Sequence, residues 1–411
     1  MEVIGKGRIK TMSKPLIVYL DSSDYSVFCD DSAKTHEISN IENQLLLLRD
    51  EGKIEIRFSY INVIEAAPTK PEDILSSSKR LQTIKRICWN KCLASYVLAL
   101  EYEIESLSKQ KPNSYQLNIL NENGVWFHGF DIKEFSYLAE DIKQEISKLP
   151  DRKARRKKER EVLNDDGSVK NASAYLKGSP ESFAIEICRK YPILEEDAKL
   201  AARSYFYNGS TAKFVQFLSN SLSNLEILGR WYECSWDEAT QLSSFLREIG
   251  GNLLISLDLL KDRLNELTNE YELEGFSDSQ IKNKINESFD DLLNSLPVYV
   301  LNRLNENHAS SLNHKFSWEL CPSLLTLTTL SVHQAKLNLL TTRKAKISDF
   351  GDLFHAAYLP HVDIFRADGN TAEIIKKAKL PFKTKIVSKL TDLPKEIESL
   401  LMLKSNNCTI D

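Results

Sequence analysis

Asp21 closes an apolar run, Leu16-Ile17-Val18-Tyr19-Leu20-Asp21, and Glu65 follows the strand-like Ile54-Glu55-Ile56-Arg57-Phe58. Two further acids, Asp352 and Asp368, arrive almost 290 residues later, in Asp352-Leu-Phe-His-Ala-Ala-Tyr-Leu-Pro-His-Val-Asp-Ile-Phe-Arg-Ala-Asp368. A carboxylate at the C-terminal end of a parallel strand lies in the crevice where open α/β sheets place their ligands. Several such carboxylates would repel one another unless a hard divalent cation shared their charge. The pattern predicts a Mg²⁺ or Mn²⁺ site that hydrolyses phosphodiesters, with Asp21, Glu65, Asp352 and Asp368 as metal ligands and catalytic groups.

Those carboxylates need elements to hold them. Residues 16–21 suit a strand buried on both faces. Asn40 to Asp50 carries Ile41, Leu45 and Leu48 at helical spacing, and Glu51-Gly52 stops it. Strand, helix, strand in so little sequence predicts a βαβ unit with parallel strands and a right-handed crossover. Glu65 then opens the next helix. From about residue 80 to 320 the apolar residues recur at threes and fours. Stretches 81–108, 131–149, 181–192, 195–208, 211–230, 236–249, 252–273 and 279–306 read as amphipathic helices. After Pro322, Ser323 to Leu340 reads as a helix, and Lys346-Ile347 as a very short strand. Ser348 reads as the cap of a helix through Asp352, His355 and Tyr358. Val362 to Ala367 and Lys385 to Val387 supply two more strands, before a last helix from about Pro394 to Leu403.

With 411 residues the chain has room for two cores, or for one core carrying a large insertion. Its 42% hydrophobic and 27% charged residues fit a globular protein. The formal net charge of -4 excludes a histone-like binder, so any polyanion must be met by a local patch. Cysteines 29, 88, 92, 188, 234, 321 and 408 are scattered and odd in number, and read as reduced thiols. The N-terminus lacks the apolar stretch of a signal peptide. No uncharged apolar run approaches the ~20 residues that span a bilayer. A cytoplasmic location without a membrane partner is expected.

In this order the acidic residues resemble the PIN-domain nucleases. Leu-Asp at Asp21, Val-Ile-Glu at Glu65, Asp-Leu-Phe-His-Ala-Ala at Asp352 and Ile-Phe-Arg-Ala-Asp at Asp368 match that family's motifs. Pro360-His-Val-Asp363 is similar to a bacterial branch with Pro-Tyr-Val-Asp there, except that His361 stands where Tyr is usual. The resemblance covers roughly residues 14–80 and 320–405. It implies a three-layer α/β/α domain with a small parallel sheet, split into halves 1–80 and 321–411 by an all-helical insertion over 81–320. It also implies a Mg²⁺- or Mn²⁺-dependent nuclease, with RNA expected over DNA, in a housekeeping, toxin or defence role. A protein that inhibits or activates the nuclease, and self-association, are partners the sequence leaves open. The competing reading is a PIN-like scaffold that binds nucleic acid or protein through its helical insert.

Each acid also has a plainer reading. Asp21 would serve as a helix cap, Glu65 as a solvated helix residue, Asp352 as a first-turn acid favoured by the helix dipole, and Asp368 as a turn residue. Asp24, Asp349 and Asp363 are secondary candidates: Asp24 for a water of the metal, Asp349 as a cap, Asp363 as a hydrogen-bonding residue at a strand start. His355 reads as a packed core histidine. Arg152, Lys153, Arg155, Arg156, Lys157 and Lys158 form the one strong positive run, and are assigned to a nucleic-acid backbone or to a solvated face. Trp126, Phe127 and Tyr137 lie near it in sequence, for base stacking or core packing. The chain has no P-loop, dinucleotide fingerprint or nucleophile elbow.

Overall fold

The structure is a computed structural model that describes residues 14–30, 32, 34–108, 119–127, 138–165, 167–235, 255, 258–259, 261–304, 318–340 and 346–407. In chain order the elements begin with β1 (Leu16–Tyr19), α1 (Ser22–Cys29), α2 (His36–Asp50), β2 (Ile54–Arg57), α3 (Tyr60–Ala66) and α4 (Ile74–Cys88). Next come β3 (Cys92–Leu93), α5 (Tyr96–Ser108), β4 (Leu120–Asn121), α6 (Leu138–Ser147) and α7 (Arg152–Val162). Then follow α8 (Pro180–Lys190), α9 (Glu195–Asn208), α10 (Ala212–Leu222), α11 (Leu225–Cys234) and α12 (Asp278–Leu304). The chain closes with α13 (Pro322–Leu340), α14 (Ile347–His355), β5 (Ile364–Arg366), α15 (Gly369–Ala378), β6 (Lys385–Val387) and α16 (Leu393–Asn407).

These elements form two compact units. Unit 1 takes Met1–Phe58, Ala99–Leu117 and Gly250–Asp411, and unit 2 takes Ser59–Leu98 and Asn118–Ile249. Unit 1 holds a four-stranded sheet in the order β2-β1-β5-β6, and every neighbouring pair is parallel. β1 pairs with β2 from Leu16↔Ile54 to Tyr19↔Arg57, and with β5 at Val18↔Ile364 and Tyr19↔Phe365. The apolar runs behave as buried strands should: Leu16, Val18, Tyr19, Ile54, Ile56, Ile364 and Phe365 are all buried. Between β1 and β2, Thr35 caps α2 by accepting the Ile38 N–H, and Gly52 takes a φ of 69° where the helix stops. The chain is therefore a mostly helical α/β protein with a small parallel sheet.

Several elements differ from the sequence expectation. The helix expected over 81–108 is two helices, because Trp89 adopts φ 55° at the end of α4 and β3 pairs antiparallel with β4 before α5 begins. The stretch 211–230 is likewise divided, with Asn224 accepting the Glu226 N–H at the start of α11. Ile347 opens α14 and belongs to no strand, so Ser348 lies inside the helix it was expected to cap. The helix expected over 236–249 lies outside the described residues.

Unit 2 is built from helices around α4. Gly229 lets α11 approach α4 closely, since a Cβ there would meet Ser78 Oγ at 3.0 Å. Trp126 is buried in this unit and donates its indole N–H to Leu222 O at 2.9 Å. Among the described residues, no helix is long and apolar enough to cross a membrane.

One buried carboxylate ties distant parts of unit 1 together. Glu103, on α5, accepts the N–H groups of Ser323 at 2.9 Å and Leu324 at 2.8 Å, in the first turn of α13. Helix N-termini leave such donors unmatched, and an acid there also meets the positive end of the dipole. Burial nonetheless pushes the Glu103 carboxyl up to about 7, against the lowering effect of its N–H donors. Glu103→Ala leaves two buried donors unmatched, and is expected to lower stability by about 2–4 kcal/mol in urea unfolding. Glu103→Gln retains one acceptor oxygen, so its loss should be about half as large; equal losses would show that the two hydrogen bonds do not carry the effect.

Candidate active site

Because all four strands are parallel, their C-terminal ends share one edge. β1 and β5 are neighbours, and the chain leaves them in opposite directions across the sheet, β1 toward β2 and β5 toward β6. That makes the gap between them the topological switch point, the usual ligand position in open α/β sheets. Asp21 stands two residues past the end of β1, and Asp368 two residues past the end of β5. Neighbouring strands lie about 4.8 Å apart, so these two acids come to the same place on the same edge.

Both acids are also helix caps. Asp21 Oδ2 accepts the Ser23 N–H at 3.2 Å and the Ser23 hydroxyl, at the start of α1. Asp368 Oδ1 accepts the Thr371 N–H at 2.7 Å, at the start of α15. The Asp24 N–H also closes the capping box on the Asp21 side chain, whereas among the described residues Asp368 accepts through Oδ1 alone. The plainer reading of Asp21 as a cap thus describes contacts that the structure contains.

Asp352 lies on α14, half-buried, one turn before His355 on the same helical face. His355 fixes that helix to the end of β1. Its Nδ1 lies 2.5 Å from the Tyr19 hydroxyl, and its Nε2 lies 3.4 Å from Ser22 Oγ. Tyr19 in turn stacks on Phe365 with ring centroids 5.2 Å apart. The histidine is a core residue, as its sequence context predicts, with a positioning role that the sequence did not disclose.

Asp24 is buried and takes part in the capping box by accepting the Asp21 N–H at 3.1 Å. Its other oxygen pairs with Arg366 Nη2 at 3.0 Å. Arg366, the last residue of β5, also donates from Nη1 to Ala367 O, and its Nε is buried without a partner. Asp24, expected beside a metal's water, is engaged in this ion pair and in the capping box. Asp363 takes the hydrogen-bonding place at a strand start that the sequence predicts for it. It precedes β5, so it sits at the N-terminal edge of the sheet, opposite Asp21. There its Oδ2 accepts the Ile17 N–H at 2.8 Å and lies 3.7 Å from Lys404 Nζ. It splices strands and does not serve the acidic edge. Asp349 lies on α14, and its side chain falls outside the described residues.

Glu65 belongs to unit 2, near the end of α3, half-buried, with its carbonyl accepting Arg80 Nη1 at 2.9 Å. Among the described residues no group of three or more His, Cys, Asp or Glu side chains is arranged to hold a metal ion. The carboxylates of Asp21 and Asp368 are of the type that suits a hard cation, as a pair rather than a closed cage.

The basic run is helix α7 in unit 2, capped by Asp151 through the Ala154 N–H at 3.1 Å. Arg155 reaches Ser147 O at 3.5 Å and Lys158 lies 3.9 Å from Glu161, so these two of the six candidates face local partners. Arg160, outside the six, joins the others in lining a shallow concavity. The sequence reading placed no helix over this run; once it is helical, the spacing of four from Arg156 marks Arg160. Trp126 and Phe127 are buried in the core, and Tyr137 lies outside the described residues.

Compared with known proteins, the chain matches no family model, no curated protein and no solved structure.

Burial pushes the Asp24 carboxyl up to about 7, with Arg366 pulling against it and Asp21 adding to the rise. A raised acid binds its proton in the folded state before the unfolded one does. Stability is therefore fullest below about pH 4 as far as this group is concerned, and falls as pH rises toward about 7. Arg366→Met removes the compensating cation and raises Asp24 further. We expect it to lose about 3–5 kcal/mol at pH 8, and clearly less at pH 5, where Asp24 is protonated. Denaturant melts at the two pH values check this; an equal loss at both would show that the pair does not govern it.

Proposed function

We propose that this chain is a metal-dependent nuclease of PIN-like architecture, with its acidic site at the C-terminal edge of the unit 1 sheet. The observation that carries the reading is the placement of Asp21 and Asp368 just past the ends of adjacent parallel strands, on the two sides of the switch point. Asp352 supports it through α14, whose His355 is anchored to Tyr19 and Ser22. Glu65, in unit 2, stays with its sequence motif and is not assigned to this edge. A divalent cation bound there supplies charge neutralisation for a phosphodiester and activation of an attacking water. The chain's own part is to hold carboxylates close together at low cost. Arg366 offsets one charge, and two helix N-termini offset more. RNA is the proposed substrate ahead of DNA, on the resemblance to PIN-domain nucleases.

The cap roles of Asp21 and Asp368 favour a second reading, a PIN-like scaffold whose acids serve only its helices. Asparagine separates the two, because Asn caps helices as well as Asp but cannot supply the same anionic ligand. Asp21→Asn, Asp368→Asn and Asp352→Asn should each cut cleavage about 10²–10³-fold in Mg²⁺ or Mn²⁺, with unfolding midpoints within about 0.5 kcal/mol of the parent. A chelator should abolish parental cleavage. A parent that cleaves nothing with either metal would leave the scaffold reading standing, and turnover at the parental rate in all three variants would overturn the assignment of these acids.

A further inference from the structure

Unit 1 holds a cavity at the far end of the helix that starts on its acidic edge. α15 follows Asp368, runs back along the sheet from β5 to β6, and ends about 15 Å away. There α12 and α15 both pack on α13, and Thr329 and His333 of α13, Leu293 of α12 and residues 377–381 line a space of about 720 Å³. That is the size of a small-molecule site, which typically has apolar walls and a few placed polar groups. Trp318 and Pro381 supply a flat apolar surface. Phe382 meets the Trp318 ring at 74° with centroids 5.6 Å apart, an edge-to-face contact that holds the indole. The Thr329 hydroxyl is buried without a hydrogen-bond partner, an unmatched polar atom in the lining.

Most of the charge around the cavity is already matched. Lys377 pairs with Glu373 at 2.6 Å, and Asp290 with Lys336 at 2.6 Å. Burial and the nearby Lys336 hold the His333 pKa below its ordinary value, against the pull of Asp290, so its imidazole is neutral at pH 7. Among the described residues, Lys379 alone of the charged groups in the lining has no ion pair. Its backbone is unusual as well. Lys379 takes φ 49° and ψ 46° just past α15, in the left-handed region that glycine adopts freely and lysine only with strain. At the ends of α2 and α9 that conformation is taken by Gly52 and Gly209, both at φ 69°. The helix end itself does not require this cation, since Lys376 and Lys377 already face the negative end of the dipole. We infer that the cavity binds a flat aromatic carboxylate, with its ring on Trp318 and its single negative charge on Lys379. A phosphate monoester carries nearly two charges at about pH 7, more than the one that Lys379 leaves unmatched. Neither Trp318 nor Lys379 belongs to the acidic edge, so binding here does not depend on cleavage there.

The test titrates the full chain with naphthoate, followed by ligand-observed NMR, beside naphthamide, cyclohexanecarboxylate and adenosine monophosphate. Naphthoate should bind with a Kd of about 1 mM or tighter, the range expected for a ligand of its size. The uncharged amide and the non-aromatic acid should each bind about tenfold more weakly, since each lacks one of the two contacts. Lys379→Gly should weaken naphthoate about tenfold and leave the amide unchanged. It should also melt no lower than the parent, because glycine relieves the backbone strain. Trp318→Leu should weaken both ligands, and Lys376→Gln, on the same helix but outside the cavity, neither. Lys379→Gly decides the matter even where Trp318→Leu fails to fold. No saturable binding of naphthoate by about 10 mM, equal affinity for acid and amide, tighter binding of the nucleotide, or an unchanged affinity in Lys379→Gly would each overturn the inference.

Discussion

The acidic edge of the sheet can exist without added cations because Arg366 is built into it. Asp21, Asp24 and Asp368 gather where two helices begin, and Asp24 is almost wholly removed from water. An opposite charge at about 4 Å is worth about 4 kcal/mol at an effective dielectric of about 20, which offsets part of the cost of burying one such carboxylate. Arginine suits the task better than lysine would, since its planar fork serves Asp24 from one nitrogen and the Ala367 carbonyl from another. β2, on the other flank of β1, also ends in a buried arginine, Arg57, paired with Glu55. The central strand thus delivers acids between two neighbours that each end in a cation.

Much of the fold was legible in local pattern. Continuous apolar runs found β1, β2 and the region of β5, and the βαβ expectation agrees with the parallel register from Leu16↔Ile54 onward. The expected helix 195–208 is α9 itself. What local pattern missed are interruptions imposed from afar. Apolar spacing runs on through Trp89, but Cys92–Leu93 pairs with Leu120–Asn121, and that pairing breaks the helix. A weak strand signal at Lys346-Ile347 lost to the helix that carries Asp352.

The candidate site divides in the same way. Asp21 and Asp368 were legible because a strand, an acid and a helix start follow one another within a few residues. Arg366 lay inside a recognised motif yet drew no notice, since its meaning depends on Asp24, which reaches it only through the folded sheet. The contacts of His355 with Tyr19 and Ser22 cross more than 330 residues of chain, beyond any local reading. Asp363 was legible as a hydrogen-bonding residue at a strand start, but that its partner is Ile17 of β1 depends on the folded sheet.

The two halves of the sheet meet late in the synthesis of each molecule. Ile17 and Asp363, joined by a hydrogen bond, are 346 residues apart. At about 5–20 residues per second of synthesis, β1 waits tens of seconds on the ribosome before β5 exists to cover its second side. During that interval an apolar strand shows an open edge to every other nascent chain, the kind of surface from which intermolecular pairing starts. Cellular yield of this protein should therefore depend on how fast its middle is translated and on how well chaperones shield its first sixty residues, quite apart from the stability of the finished fold.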